Sequence, residues 1–147
     1  MNLKTKTMQR ILLLLILLIF NSIIKLTAQE NYSITVEFSG MKSDDGDVYV
    51  ALYNTEDSFL KKPMTGEIAK VNDKKATITF KNVTPGEYAI SAFHDENDNK
   101  KMDTKIFGIP KEPIGMSNNA KGFMGPPKYK DAKFTVDKNI TLAITMK

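Results

Sequence analysis

Residues 84–95 read Thr-Pro-Gly-Glu-Tyr-Ala-Ile-Ser-Ala-Phe-His-Asp. The first four are a turn signal: Pro85 sets φ at one central position, and Gly86 is free to take positive φ at the next, as a type II turn requires. Behind them Tyr88, Ile90 and Ala92 occupy every second position, the period of a strand with one face on a core. On that parity His94 points inward at the strand's end and Phe93 outward. The same period recurs along the chain in Ile34, Val36 and Phe38, which Gly40 ends, and in Val48, Val50 and Leu52, which follow a Ser43-Asp44-Asp45-Gly46 turn. It returns in Ala76, Ile78 and Phe80, in Ala132, Phe134 and Val136, and in Ile140, Leu142, Ile144 and Met146. Glu67 to Val71 offers a weaker strand, and Asp137-Lys138-Asn139 reads as a tight hairpin between the last two. Asn54 to Thr65 reads as one helical turn with Phe59 and Leu60 inward. No amphipathic helix of useful length occurs. The expected fold is all-β, an immunoglobulin-like or transthyretin-like β-sandwich of about seven strands with one long irregular loop.

The N-terminus stands apart from this pattern. Lys4, Lys6 and Arg10 precede an unbroken apolar run from Ile11 to Phe20, and Thr27-Ala28-Gln29 supplies a small residue for cleavage after Ala28. That is the pattern of a secretory signal peptide, and the run falls short of the roughly 20 apolar residues a membrane span needs. The expected organisation is a signal peptide over residues 1–28 and a single β-sandwich domain over 29–147, exported to the periplasm or secreted, with no membrane span in the mature chain. The chain has no Cys, which excludes a lipidated-Cys anchor and disulfides alike. Its net charge of +4 belongs to the leader, because removing Lys4, Lys6, Arg10 and Lys25 leaves 17 basic against 17 acidic residues. Nucleic acid is therefore not an expected partner.

From His94 to Lys130 the periodicity stops. So long an irregular segment in a compact domain argues for ligand binding or for a structural lid. Within it Asp95-x-Asn97-x-Asn99-x-x-x-Asp103 sets oxygen-bearing side chains at positions one, three, five and nine, as in the first part of a calcium loop. Position six should be Gly and is Lys100; position twelve should be a bidentate Glu and is Ile106, so an acid from elsewhere would have to close the site. Asp95, Asn97, Asn99 and Asp103 are the candidate metal ligands and calcium the candidate cofactor. The competing reading is a solvated loop of residues that turn easily. His94, the only histidine, is a candidate base or ligand, or else a strand-end residue held by backbone hydrogen bonds. No second His, Cys or nucleophile motif accompanies it, so no catalytic residue is assigned. The outward Tyr49, Tyr53 and Phe93 form an aromatic patch that the segment, through Phe107, Ile109, Phe123, Met124 and Tyr129, is expected to cover.

The block from His94 through Gly125-Pro126-Pro127, with Gly40-Met41-Lys42-Ser43, Val50-Ala51-Leu52-Tyr53-Asn54 and Pro85-Gly86-Glu87-Tyr88-Ala89-Ile90, resembles the exported bacterial family "domain of unknown function 2141". The leader ending in Ala-Gln is similar to those of exported Bacteroidetes proteins. The resemblance implies a small β-sandwich outside the cytoplasm and no established activity. The functional expectation is a non-enzymatic binding module for an extracellular or envelope ligand, protein or glycan, contacted through the loop after His94. The alternatives are a structural envelope-associated module and a hydrolase using His94.

Overall fold

Eight strands carry the chain from Tyr32 to Thr145: β1 (Tyr32–Ser39), β2 (Asp47–Tyr53), β3 (Thr65–Lys70), β4 (Ala76–Val83), β5 (Gly86–Asp95), β6 (Ile114–Met116), β7 (Phe134–Val136) and β8 (Ile140–Thr145). The computed structural model describes residues 6, 8–13 and 30–147. The signal-peptide reading and its cleavage site after Ala28 therefore fall almost wholly outside the described residues. Among these, no helix is long and apolar enough to cross a membrane.

The strands form two sheets, so the all-β sandwich holds. The first sheet has the order β4-β1-β8, with β1 and β8 parallel. The second has the order β3-β2-β5, and β6 and β7 share the outer edge of β5. Alternation places Ile34, Val36 and Phe38 of β1 against Val48, Val50 and Leu52 of β2 and Ile90 and Ala92 of β5, all buried between the sheets. Each large apolar side chain buried in this way contributes roughly 1.5–3 kcal/mol. The weak strand expected near Glu67–Val71 is β3.

Two expected turns are instead sheet crossings. Gly86 does not adopt positive φ and already begins β5, so Pro85-Gly86 is no type II hairpin turn. The chain passes there from the first sheet to the second, and the buried Tyr88 hydroxyl donates to Thr84 O at 2.8 Å, tying the corner together. Likewise β7 pairs β5 while β8 pairs β1, so Asp137-Lys138-Asn139 carries the chain between layers and makes no hairpin. Alternation sets which face a residue takes and leaves open which strand it pairs with. Residues 54–64 form turns and bends in place of a helical turn; Phe59 is buried as expected, and Leu60, half-buried, takes φ 58°.

The segment after His94 is less irregular than its sequence. Ile114–Met116 pairs with Ser91–Phe93 as β6, and Ile114 and Lys147 exchange two backbone hydrogen bonds of 3.0 Å, linking the C-terminus to the second sheet. Gly115 permits this approach: a Cβ there would lie 2.6 Å from Met146 Sδ. Between β6 and β7 the edge of β5 is left open at Ile90, and the buried Ser117 hydroxyl fills the gap. It accepts Ile90 N–H at 2.9 Å and donates to Ala132 O at 2.6 Å.

Candidate functional site

The outer face of the second sheet is covered at one end only. Tyr53 and Ala89 pack beneath Met116, Tyr129 and Ala132 in a second small core, joined by Phe59 edge-on to both tyrosines. Farther along, Tyr49 and Phe93, opposite each other on β2 and β5, stack with ring centroids 5.0 Å apart and stay half-buried. The expectation that Phe107 and Phe123 fold back over this patch fails. They are 97% and 91% exposed, on two projecting tips. Between the Phe107 tip, the 120–127 segment and the Tyr49–Phe93 floor lies a cleft of about 1230 Å³, also lined by Ile68, Met102 and Pro126; Phe123 itself does not line it.

Beyond Phe93 the same face turns acidic. Asp47 and Asp95 stand directly opposite across β2 and β5. Like charges so placed repel. Asp47 uses Oδ2 on Lys70 Nζ at 2.8 Å, which raises the Lys70 pKa, and keeps Oδ1 buried without a partner. The nearby Tyr49 hydroxyl has a raised pKa, through burial first and then the negative charge of Asp95 and Asp98.

All four candidate ligands come together in the loop that follows. Asp95 is fully buried at its base, and its carboxylate accepts Asn99 N–H at 3.1 Å and Lys100 N–H at 2.7 Å. Asn97 Oδ1 accepts Asn99 N–H, and Asn99 Oδ1 accepts Lys101 N–H. Lys100 takes φ 64°, the left-handed turn expected of a Gly at position six, while its side chain stays exposed. The left-handed turn is thus made without the glycine. Both Asn side chains direct Nδ2 onto Asp103 Oδ2, at 2.8 and 2.9 Å. Those bonds, Asn97's the larger, hold Asp103 below the usual carboxylate range. Among the described residues no three acid or imidazole side chains already stand at metal-ligand spacing.

A fifth residue, absent from the sequence reading, completes the cluster. Residues 103–111 fold back on themselves: Thr104 bridges Pro110, Lys111 N–H donates to Asp103 O at 2.9 Å, and Lys105 N–H to Ile109 O at 2.7 Å. This return brings Glu112 beside Asp103, whose N–H donates to Glu112 Oε2 at 3.0 Å. Glu112 is only 8% exposed, and its Oε1 is buried without a partner. Burial, and then the charges of Asp95 and Asp103, push its pKa up against the pull of that N–H. An acid between Lys111 and Pro113 was the only sequence signal available.

His94 behaves as a strand-end residue. Its ring is fully buried, Nε2 sits 2.7 Å from Asp45 O, and Nδ1 lies 3.8 Å from Glu96 Oε1. Ser91 points to the opposite face of β5, and the Ser117 hydroxyl is engaged by Ile90 and Ala132, so neither meets the imidazole. No curated protein and no solved structure matches the chain. A family model described as "Uncharacterized protein conserved in bacteria (DUF2141)" matches residues 36–143, which span β2 to β7 whole, all but four residues of β1 and most of β8. With well over half its length matched, the chain belongs to that bacterial family of uncharacterised proteins.

Proposed function

We propose that this is an exported, non-enzymatic binding module whose ligand surface is the cleft bounded by the segment after His94. The observation that carries the reading is the pairing of a half-buried aromatic floor, Tyr49 and Phe93, with an almost fully exposed apolar tip at Phe107 on the cleft's wall. Phe123, equally exposed, stands on the segment whose Gly122 and Gly125 line the same cleft. Contiguous exposed apolar surface of this kind marks interaction sites. The predominantly apolar lining of the cleft supports an apolar segment of an extracellular or envelope protein over a glycan, which needs convergent hydrogen-bonding groups. The strand order supports a transthyretin-like sandwich over an immunoglobulin-like one. Here β1 lies between β4 and β8, whereas immunoglobulin order sets the first two strands in one sheet.

The test is a photo-crosslinking residue at position 107 or 123 in the producing bacterium, with position 81 on the other sheet as control. One discrete adduct from 107 and 123, lost when Tyr49 and Phe93 are both replaced by Ala, is expected. No adduct, or the same adduct from position 81, refutes it. N-terminal sequencing of the protein from those cells tests export: Gln29 as first residue is expected, and an intact leader on cytoplasmic protein refutes it.

A further inference from the structure

We propose that Asp95, Asn97, Asn99, Asp103 and Glu112 form a calcium site at the root of the 103–111 hairpin, with Glu112 supplying the bidentate carboxylate that the loop lacks at its twelfth position. The site stands independently of whatever occupies the cleft.

Two observations of different kinds meet here. The first is the loop itself: oxygen-bearing side chains at alternate positions of a curl closed by Asx turns and by the Asn99 and Lys100 N–H bonds to Asp95. Taken alone it is also what a turn-rich solvated loop looks like. The second is Glu112. A carboxylate so deeply buried costs free energy unless it is paired, and one of its oxygens has no hydrogen-bond donor while its neighbours are Asp95 and Asp103. The cationic groups at hand are lysines: Lys101 and Lys111 act on Asp103, and neither donates to Glu112 Oε1. A hard divalent cation, once these side chains turn to it, would offset the charge of Glu112, Asp95 and Asp103 at once.

Entry of the ion exchanges existing bonds for ion–oxygen contacts. The two Asn amides release Asp103 and turn their oxygens to the ion, sharing or giving up the bonds those oxygens accept from Asn99 and Lys101 N–H, and Glu112 turns Oε1 and Oε2 onto the ion. Calcium suits this better than magnesium, because it accepts flexible coordination by carboxylates and amide oxygens, whereas magnesium demands near-octahedral geometry. Exchanging these hydrogen bonds on entry places the affinity in the weak range of extracellular modules, with a dissociation constant on the order of 10⁻⁴–10⁻³ M. The ion would fix the hairpin at its root. The tip of that hairpin carries Ile106, Phe107 and Ile109, so occupancy would also set one wall of the cleft.

The experiment is thermal unfolding in calcium chloride against chelator, with limited trypsin digestion alongside. At a dissociation constant near 10⁻⁴ M, 10 mM calcium multiplies the folded-to-unfolded ratio about 100-fold. A melting temperature raised by several degrees, with slower cleavage after Lys101, Lys105 and Lys111, is the expected result. Glu112→Gln keeps the shape and the bond from Asp103 N–H, and should fold in chelator while losing most of the calcium response. Asp103→Asn gives the same readout should that variant fail to fold. The proposal is overturned by an unchanged midpoint at 10 mM calcium, by an equal rise from sodium chloride at matched ionic strength, or by a full response in both variants. Stabilisation by acid without any calcium response also overturns it, since the carboxyls would then share a proton.

Discussion

Replacing Ser117 with Ala should be among the most damaging changes of a single oxygen in this protein. The hydroxyl substitutes for a stretch of ladder that β6 and β7 leave open along β5. It accepts Ile90 N–H at 2.9 Å and donates to Ala132 O at 2.6 Å, and Ser117 is fully buried, which leaves no room for a replacing water. Deletion strands two buried backbone groups, each costing about 1–3 kcal/mol when unpaired. A combined loss of about 2–4 kcal/mol follows, a melting temperature lower by roughly 8–16 °C in a domain of this size. Urea unfolding followed by far-ultraviolet circular dichroism measures it directly, and the midpoint should fall with the slope unchanged. Ser91→Ala is the control, because that half-buried hydroxyl contacts only Tyr53 OH at 3.2 Å and should cost less than about 1 kcal/mol. If the two variants lose the same amount, Ser117 does not bridge the gap in the sheet and this account of the β5 edge is wrong.

Two further substitutions probe the base and the crest of the acidic loop. Gly46 sits at φ 67°, and a Cβ there would fall 1.7 Å from Asp95 O, so Gly46→Ala should cost more than about 3 kcal/mol by forcing β2 and β5 apart. A melting temperature within two or three degrees of the parent, roughly the effect of under 1 kcal/mol, would contradict that placement. Lys100→Gly should stabilise the protein by about 0.5–1 kcal/mol, since the left-handed strain relieved at φ 64° exceeds the added backbone entropy of the unfolded chain. A lower urea midpoint for this variant would show that the loop does not hold Lys100 in that conformation.

The inner face of the sandwich was legible because period-two alternation is a local property. Ile34, Val36, Val48, Val50, Leu52 and Ile90 could be assigned to the core from spacing alone, and His94 followed them inward by parity. Strand partners were not legible, because a crossing at Pro85 and a hairpin at Pro85 need the same turn residues. What distinguishes them is the pairing that follows, β4 with β1 and β5 with β2, while the Tyr88 hydroxyl on Thr84 O ties the corner. The outer face divides for a similar reason. Tyr53 and Tyr49 share parity on β2, yet only Tyr53 lies under Phe59 and Tyr129. Nothing within β2 distinguishes the two; the reach of the segment from Ile114 to Ala132 does.

The acidic loop shows the same boundary between local and returning structure. Asp95, Asn97, Asn99 and Asp103 could be grouped from sequence because the curl that gathers them is made by bonds spanning two to six residues. Glu112 could not, because the fixed spacing of a one-turn loop looks for its last acid at position twelve and finds Ile106 there. The chain instead spends residues 104–110 on a hairpin and returns with the acid at its far root, where Asp103 N–H and Lys111 N–H lock the two strands together. The detour places an apolar tip, Phe107, at one end of the hairpin and a half-satisfied carboxylate at the other. On the calcium-site proposal, an uninterrupted loop would hold an ion and nothing more, whereas a hairpin inserted between the ninth-position acid and the closing one would tie the geometry of the tip to the state of the root.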